Sequence, residues 1–519
     1  MLAPMILKGR HASAPLPDQN LVTFVRDALE TFGDRVALID GPTGRSYTFR
    51  QVLDLSASIA HGLRARGVET GDRVAFITPN VPEVAFAYHG TITAGVVAMM
   101  VNPLSTPEEL AKYFRIGRPK VAVTVPALLP AIRAAAPELP VIVIGDAEGA
   151  EPLAALLGGP TTPPQLAIEP DSVAVMPFSS GTTGFPKGVM LTHRNIIAQC
   201  LSLEAVTDAA VIVPGGAVIA VLPFFHIYGI MAFLTYGLSR GARLVTMPRF
   251  DLAEYVRLVA THKPPLLHVV PPILLGLAKF PGELSLPGVQ GALVGAAPLS
   301  ESLAREFTQR TGVLVYQVYG LTEVSGASHL GSRDPARNKP GSIGGLIGNA
   351  EARVVSPETG ADVAQGEPGE VWIRGPFVMR GYFEDEAATA QTIDADGWLH
   401  TGDIAHVDPD GDFWVVDRVK ELIKYKGLQI APAELEAVVL QHPSVADCAV
   451  YPQADEEAGE IPKAAVVLKA GATLTEGDLI EFVAQHVNPQ KRLRAVRFVD
   501  AIPKSASGKI LRRVLVQQS

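Results

Sequence analysis

The 519-residue sequence contains only two cysteines, Cys200 and Cys448, which lie far apart in the chain. So few thiols argue against a disulfide framework and indicate a reducing compartment, so we expect a cytoplasmic protein. The sequence also lacks a basic excess, because its formal net charge is −9, and this argues against a nucleic-acid partner. No apolar run reaches membrane-spanning length without polar interruption, so we expect no integral membrane segment.

The overall composition is typical of a folded globular chain, with 48% hydrophobic and 19% charged residues. Up to about residue 415, short apolar runs alternate with amphipathic segments such as 303–312. The β-like runs are 73–79, 121–125, 173–178, 218–224 and 266–270. This alternation predicts an α/β fold with substantially parallel sheets.

The pattern changes after residue 418. The segment 420–451 predicts a short hairpin, a helix that begins near Pro432, and a strand. A further strand, a helix and a last strand complete a small α+β unit. We therefore divide the chain into an amino-terminal domain (1–418), a hinge (419–420) and a carboxy-terminal domain (421–519).

The segment 179–188, SSGTTGFPKG, follows one of the apolar runs. Glycines let backbone N–H groups converge on an anion, hydroxyls donate to phosphate oxygens, and a lysine adds positive charge. The segment does not fit the P-loop pattern, because Pro186 precedes Lys187 and Gly188 follows it, where that pattern has Gly and then Ser or Thr. A phosphate-binding loop and a flexible polar loop both remain open on this segment alone.

A second polar cluster, within 315–326, places Tyr319, Thr322 and Glu323 just beyond a predicted strand. An aromatic ring suits stacking on a base, and a hydroxyl with a carboxylate suits a hard cation. An ordinary strand-to-turn boundary would have the same residue types.

Two further clusters lie nearer the carboxyl end. Within 398–427, Asp403 could accept ribose hydroxyls and Arg418 could pair with a phosphate, although aspartates in turns often bind only backbone N–H groups. Within 503–513, Lys509 follows a glycine in a loop, where most lysines are surface groups.

These four clusters, in this order and at these separations, resemble the adenylate-forming superfamily of acyl- and aryl-CoA synthetases, luciferase and peptide-synthetase adenylation domains. The similarity extends from residue 46 to residue 513, and it is strongest to the 4-coumarate–CoA ligase branch. The motifs that carry it are LPFFHIYG (222–229), VPPILLGLAK (270–279), GAAPLS (295–300), YGLTE (319–323), WLHTGD (398–403) and VVDRVKELIKYKGLQIAPAELE (415–436). The resemblance implies a large α/β amino-terminal domain with β-sheets and a distorted barrel subdomain, and a small mobile α+β carboxy-terminal domain.

The resemblance implies ATP, Mg²⁺ and coenzyme A as ligands, with a small carboxylic acid as the other substrate. The ATP-binding residues it implies are Ser179, Ser180, Gly181, Thr182, Thr183, Gly184, Lys187, Gln317, Val318, Tyr319, Gly320, Thr322, Asp403, Arg418 and Gln429. Glu323 and Thr183 would bind the metal ion. In this family the loop binds pyrophosphate as the leaving group, which accounts for its departure from the P-loop pattern.

The resemblance makes Lys509 the catalytic lysine of adenylate formation. Lys420 lies at the family's hinge, about which the small domain turns to bring Lys424, Lys426, Gly427 and Gln429 towards the adenylate and coenzyme A. Arg249 lies where the family has a basic residue near the phosphates of coenzyme A. His226 would orient the carboxylate of the acid.

The implied acyl pocket is formed by Tyr228, Ala232, Ala296 and Val324, mostly small or apolar side chains. No acidic residue lies between Leu222 and Thr235, which argues against an amino-acid substrate because its ammonium would be buried without a partner. We expect an ATP-dependent acid–CoA ligase for a hydroxycinnamate or another aryl acid. A medium-chain fatty acyl-CoA synthetase, a luciferase-like oxygenase and a P-loop-type NTPase are the alternatives, and a monomer or homodimer is expected.

Overall fold

The structure is a computed structural model that describes residues 5–179, 186–206, 211–418, 421–425, 428–455, 458–487, 489, 491–505 and 508–518. For residues 418, 424, 428, 429 and 459 only the backbone is described. Within this part of the chain, no helix is long and apolar enough to cross a membrane.

The described helices are α1 (Leu21–Glu30), α2 (Phe49–Ala65), α3 (Pro82–Thr93), α4 (Pro107–Gly117), α5 (Leu129–Ala135), α6 (His193–Glu204), α7 (Ile227–Gly229), α8 (Tyr236–Ser239), α9 (Leu252–His262), α10 (Pro271–Ala278), α11 (Glu301–Thr311), α12 (Glu386–Thr392), α13 (Pro432–Val439), α14 (Glu476–Ala484) and α15 (Arg512–Gln517). Local sequence signals determine several of their ends. Thr48 and Gln51 form a reciprocal capping box at the start of α2. A proline occupies the first helical position of α13, where its missing N–H is not needed.

The described strands are β1 (Leu7–Lys8), β2 (Val36–Asp40), β3 (Ser46–Thr48), β4 (Arg73–Ile77), β5 (Val97–Met100), β6 (Val121–Thr124), β7 (Val141–Val143), β8 (Glu151–Pro152), β9 (Val173–Ser179), β10 (Lys187–Thr192), β11 (Ala217–Ala220), β12 (Arg243–Thr246), β13 (Leu266–Val269), β14 (Gly291–Val294), β15 (Leu314–Leu321), β16 (Gly326–Leu330), β17 (Gly345–Leu346), β18 (Glu351–Val355), β19 (Gly369–Arg374), β20 (Gly381–Tyr382), β21 (Leu399–Val407), β22 (Phe413–Arg418), β23 (Ile423–Tyr425), β24 (Leu428–Ile430), β25 (Val445–Asp455), β26 (Gly459–Leu468) and β27 (Ala495–Phe498).

An eight-stranded sheet of order β20-β10-β9-β5-β4-β6-β7-β8 carries the glycine-rich segment. Its strands from β9 to β8 run parallel, whereas β10 and β20 are antiparallel additions at one edge. All four side chains of β5 and of β6 are buried. Strands covered on both faces in this way account for the continuous apolar runs of the sequence.

A second sheet has the order β13-β14-β15-β16-β17 and mixes parallel with antiparallel pairs. Strands β13, β14 and β15 are parallel, so their carboxyl ends meet at one edge, where the GAAPLS and YGLTE motifs begin. An isolated bridge between Gly344 and Phe413 connects this sheet to the antiparallel sheet β1-β18-β19-β21-β22. The distorted barrel subdomain stays a prediction.

A separate hydrophobic core lies in the carboxy-terminal part of the chain. It is built from residues between Ile423 and Val496 on β23 to β27, α13 and α14, whereas the main amino-terminal core has no described buried member beyond Phe413. The predicted α/β class with a large amino-terminal and a small carboxy-terminal domain is confirmed. The mobility of the small domain and the boundaries at 418 and 421 stay predictions, and hinge residues 419–420 lie outside the described residues.

Candidate active site

The glycine-rich segment lies between the antiparallel strands β9 and β10. Lys187 stands opposite Ser179 in the antiparallel pairing of these strands, so the two described ends of the connection lie next to each other. Ser180, Gly181, Thr182, Thr183 and Gly184 lie outside the described residues. The described ends of the connection are thus a hydroxyl and an ammonium side by side, both of which bind phosphate oxygens well.

Lys187 and Glu323 meet the same aromatic side chain. The ammonium of Lys187 lies 4.8 Å from the ring centroid of Tyr382, and the Tyr382 hydroxyl donates a 2.9 Å hydrogen bond to Oε1 of Glu323. Burial, followed by the charge of Glu323, raises the pKa of Tyr382 above its ordinary value. The phenol therefore stays protonated and remains a donor.

Glu323 is suited to hold one magnesium ion together with substrate phosphates. It lies in the turn Thr322–Val324 directly after β15 and is 9% exposed. No group of three or more His, Cys, Asp or Glu side chains that could hold a metal ion alone is found in the described ranges. Mg²⁺ commonly takes one or two protein carboxylates and completes its octahedron with phosphate oxygens and water, so a single buried carboxylate fits this ion.

The adenosine-binding candidates lie along β15. Gln317 is buried and its Nε2 donates to the carbonyl of Ser342 at 2.9 Å. At Gly320 an added Cβ would lie 1.7 Å from the carbonyl oxygen of Gly326. Only glycine fits there, and the narrow β15–β16 turn places Tyr319 and Glu323 on either side of it.

Tyr319 and Asp403 come from different sheets and contact each other directly. The Tyr319 hydroxyl donates to Oδ2 of Asp403 at 2.6 Å, and its ring packs edge-on against buried His329, 5.4 Å between centroids. Asp403 is 3% exposed and pairs with Arg418 in the β21–β22 register. Asp403, the predicted ribose contact, therefore bonds to the Tyr319 side chain and is adjacent to Arg418 in the backbone, whereas the Arg418 side chain lies outside the described residues.

His226 caps the short helix α7. Its Nδ1 accepts a 3.2 Å hydrogen bond from the backbone N–H of Tyr228, and burial lowers the pKa of His226 to about 4. The ring is therefore neutral near pH 7. With Nδ1 as the acceptor, its proton lies on Nε2, which can donate to an acid's oxygen.

An aromatic group surrounds Tyr228 in the predicted acyl pocket. Its ring is 6.4 Å from Phe233 and 6.0 Å from His268, and its hydroxyl lies 3.4 Å from Nδ1 of His268. A Cβ on Gly295, next to Ala296, would lie 3.2 Å from the Tyr228 ring. The other two pocket candidates, Ala232 and Val324, are buried.

The Lys509 turn lies against the amino-terminal domain. The Lys509 N–H donates to Oγ of Ser505 at 3.1 Å, and the Lys509 carbonyl accepts from the Ser505 N–H at 2.8 Å. Gly508 has φ +82°, and an added Cβ would lie 3.0 Å from Cγ of Pro272. Because Pro272 lies in the first turn of α10, directly beyond β13, Gly508 lies near the carboxyl edge of the sheet whose strand β15 leads into Glu323.

Other predicted residues are not part of this arrangement as described. Arg249 is an exposed residue just before α9, in the amino-terminal domain. Lys424 and Gln429 form a cross-strand pair in the β23–β24 hairpin, and their side chains lie outside the described residues. Lys420, Lys426 and Gly427 also lie outside the described residues.

Known families match both parts of the chain. Residues 25–383 match the AMP-binding enzyme family, and residues 434–509 match the AMP-binding enzyme C-terminal domain. The chain belongs to the AMP-binding enzyme family. It is an acid–thiol ligase of the adenylate-forming type, and enzymes of this type use ATP, Mg²⁺ and coenzyme A.

Relatives and solved structures extend this similarity over almost the full length. The chain is 39% identical to 4-coumarate–CoA ligase 2 of Solanum tuberosum over 506 residues, which cover 95% of this chain and 93% of the relative. It is similar to ATP-bound MatB from Rhodopseudomonas palustris with a TM-score of 0.89 and 28% identity, covering 96% and 99% of the two chains. It is also similar to the anthranilate CoA ligase AuaEII in complex with anthranoyl-AMP, with a TM-score of 0.87 and 26% identity, covering 97% and 98%.

The structure shows three residues in contact with the candidate active site that the sequence patterns do not indicate. Tyr382 contacts Lys187 and Glu323, His329 supports the ring of Tyr319, and His268 lies beside Tyr228. Tyr382 and His268 lie far in sequence from the motifs that they contact, whereas His329 pairs with Tyr319 across the adjacent strands β15 and β16. A lone Tyr or His in an apolar strand gives no signal of such a contact.

Proposed function

We propose that this acid–thiol ligase activates an aromatic acid of the hydroxycinnamate type. The observation that carries the proposal is the group of rings formed by Tyr228, Phe233 and His268 beside the small residues Ala232 and Ala296. A flat aromatic acyl group packs well against ring edges and faces. The 39% identity to a 4-coumarate–CoA ligase over 95% of the chain supports the same substrate class.

In the proposed first half-reaction, a carboxylate oxygen of the acid attacks the α-phosphorus of ATP and pyrophosphate leaves. His226 orients the acid through its Nε2 proton. The ammonium of Lys509 stabilises the negative charge that grows on the phosphate and bridging oxygens, so it contributes most in the transition state. Magnesium supplies further neutralisation of phosphate charge when bound, and Glu323, with Thr183, would hold it.

In the proposed second half-reaction, the thiol of coenzyme A attacks the acyl carbonyl and AMP leaves. We propose that the small domain turns about Lys420 between the two steps, as in other enzymes that close a lid or domain over bound substrate. Lys424, Lys426 and Gly427 would then replace Lys509 at the adenylate, and Arg249 would bind the phosphates of coenzyme A. Gln317, Val318 and Thr322 would remain with the nucleotide in both steps.

The substrate proposal is tested by a panel of 4-coumarate, cinnamate, benzoate and octanoate with ATP, Mg²⁺ and coenzyme A, with AMP release as the measurement. We expect kcat/KM for cinnamates to exceed that for octanoate by on the order of tenfold or more. Tyr228→Ala is expected to remove this preference, and Tyr228→Phe, which keeps the ring, to retain most of it.

The same panel distinguishes the other candidates. A preference for octanoate would favour a medium-chain fatty acyl-CoA synthetase, to which the apolar side chains of Ala232 and Val324 are also suited. ADP as product would indicate a kinase or P-loop-type NTPase, and oxygen uptake that depends on the adenylate would indicate a luciferase-like oxygenase.

We also propose that the enzyme works in the cytoplasm, as a monomer or homodimer. Cys200 and Cys448 are both buried free thiols, which suits a reducing compartment. Light scattering of the purified chain at several concentrations measures the oligomeric state.

A further inference from the structure

Tyr382 lies between two groups of opposite charge in the candidate active site. Its hydroxyl donates to Oε1 of Glu323 at 2.9 Å, and the ammonium of Lys187 lies 4.8 Å from its ring centroid. The residue is 6% exposed. One side chain thus contacts both a carboxylate suited to a metal ion and a lysine suited to a phosphate.

The backbone around Tyr382 is fixed to both of these neighbours. On the Glu323 side, the N–H of Met379 donates to the carbonyl of Glu323 at 2.8 Å. On the Lys187 side, the N–H of Phe383 donates to the carbonyl of Gly188 at 2.8 Å, and Tyr382 pairs with Val189 across β10 and β20. The position of the ring is therefore determined by the same hydrogen bonds that join the two elements.

The two contacts act on different parts of the side chain. The hydroxyl occupies one site on the Glu323 carboxylate and leaves its other oxygen for a cation, which fixes the direction in which that oxygen points. The ring face attracts the Lys187 ammonium by a cation–π interaction. Removing the hydroxyl alone should therefore disturb Glu323 and leave the Lys187 contact in place.

We propose that Tyr382 is a positioning residue that aligns Glu323 with magnesium through its hydroxyl and Lys187 with the phosphates of ATP through its ring. This inference rests on the proposed function of the site, in which Glu323 and Lys187 bind metal and phosphate. In this proposal Tyr382 acts through the two charged residues that it contacts.

The test compares Tyr382→Phe and Tyr382→Leu with the unchanged full-length enzyme. Calorimetric titration with a non-hydrolysable ATP analogue, at several magnesium concentrations and in EDTA, measures binding without turnover. We expect Tyr382→Phe to raise the magnesium concentration for half-maximal binding on the order of tenfold, as for loss of one hydrogen bond to a charged group. Binding in EDTA should change less than about twofold, since the ring remains.

Tyr382→Leu removes the ring as well as the hydroxyl. It should show the same magnesium effect and, in addition, weaken binding of the analogue in EDTA by about threefold or more, because the Lys187 ammonium loses the ring face. For both variants, kcat at saturating magnesium should fall less than the apparent affinity for the ion. A residue with a merely structural role would instead lower the melting temperature and affect binding equally with and without magnesium.

Tyr47→Phe is the matched control. The Tyr47 hydroxyl also donates to a carboxylate, Oε1 of Glu83 at 3.2 Å, on elements outside the candidate site. Its removal should leave the magnesium dependence of analogue binding unchanged.

The inference is overturned if Tyr382→Phe binds the analogue with the wild-type magnesium dependence, or if Tyr47→Phe shifts that dependence as much as Tyr382→Phe does. If instead the wild-type enzyme releases no AMP with any acid, the proposed function fails, while the binding titration still decides the role of Tyr382.

Discussion

The hydroxyl of Tyr319 donates a 2.6 Å hydrogen bond to Oδ2 of Asp403, which joins the end of β15 to β21. The Asp403 side chain is nearly buried, with 3% of its surface exposed. Tyr319 itself is supported from behind by His329, whose ring packs on Phe413 at 4.5 Å between centroids. A base stacked on Tyr319 would thus place its ribose close to Asp403.

We predict that Asp403 discriminates ATP from its deoxyribose analogues. If the carboxylate accepts a ribose hydroxyl, Asp403→Ala should weaken ATP binding by on the order of 10- to 100-fold, as for a hydrogen bond to a charged group. The same variant should bind 2′-deoxy-ATP and 3′-deoxy-ATP about as well as ATP. Equilibrium binding of the three nucleotides measures the discrimination directly.

Tyr319→Phe provides the control for this prediction. It removes the hydrogen bond to Asp403 but keeps both the ring and the carboxylate. Its preference for ATP over the deoxynucleotides should therefore persist. Equal discrimination by wild type and Asp403→Ala would mean that Asp403 does not bind ribose.

Lys509 should be needed for only one of the two half-reactions. We predict that Lys509→Ala lowers the rate of adenylate formation by at least ~100-fold, because a charge aimed at the transition state is lost. Pyrophosphate exchange measures this rate. Thioester formation from supplied acyl-adenylate should stay within a few-fold of wild type. An equal loss in both assays would contradict a model in which Lys509 leaves the site between steps.

Lys504 offers a control for the Lys509 substitution. It pairs with Ile510, the residue after Lys509, in an isolated antiparallel bridge and forms an ion pair with Asp447 at 2.6 Å. Because Lys504 bonds within the small domain, Lys504→Ala should reduce both half-reactions little and to the same extent.

Much of the site is predictable because its motifs are short and contiguous. Strand β9 leads into the segment that ends near Lys187, and β15 carries Tyr319 and leads into the turn with Glu323, so each motif can be located from pattern and resemblance. Their meeting at sheet edges follows from the parallel arrangement of the strands. The α/β class and the small carboxy-terminal domain can also be predicted, because their strands and helices are contiguous in sequence.

Tyr382 could not be predicted in this way. Its contact with Lys187 depends on the pairing of β10 with β20, almost two hundred residues apart, in a particular register. A shift of one residue would turn its side chain to the other face of the sheet. Neither the two-residue length of β20 nor the composition around it signals that register, so the contact is visible only in the folded chain.

Gly320 should be among the least replaceable residues of the site. A Cβ there would lie 1.7 Å from the Gly326 carbonyl oxygen and 2.6 Å from its carbon, both backbone atoms that cannot move independently. We predict that Gly320→Ala lowers the melting temperature and weakens ATP binding, since the β15–β16 turn must open and displace Tyr319 and Glu323. Thermal unfolding and nucleotide titration measure the two effects.

Gly477→Ala is the control for added bulk. Gly477 lies in α14, and the nearest heavy atom to an added Cβ is Oγ1 of Thr475 at 4.0 Å. Alanine is favoured over glycine in a helix by about 1 kcal/mol, so this variant should be as stable as wild type or more so. Wild-type stability and ATP affinity in Gly320→Ala would refute the predicted steric conflict.

Stability should fall with acid because several histidines are buried in the neutral form. Burial lowers the pKa of His89, His193 and His268 to about 4. In the unfolded chain each would titrate near its ordinary pKa of about 6.5. Between these values the unfolded state binds more protons, so each histidine reduces the unfolding free energy by up to about 1.4 kcal/mol per pH unit as pH falls.

Melting temperatures at pH 7.5, 6.5 and 5.5 should therefore decrease, with the steeper decline below pH 6.5. His193→Gln removes one of these groups at a site where Nδ1 accepts from the Leu21 N–H at 3.2 Å. It should lower the melting temperature at pH 7.5 but make the decline with acid shallower. An unchanged slope in His193→Gln would show that protonation of this buried ring does not contribute to acid sensitivity.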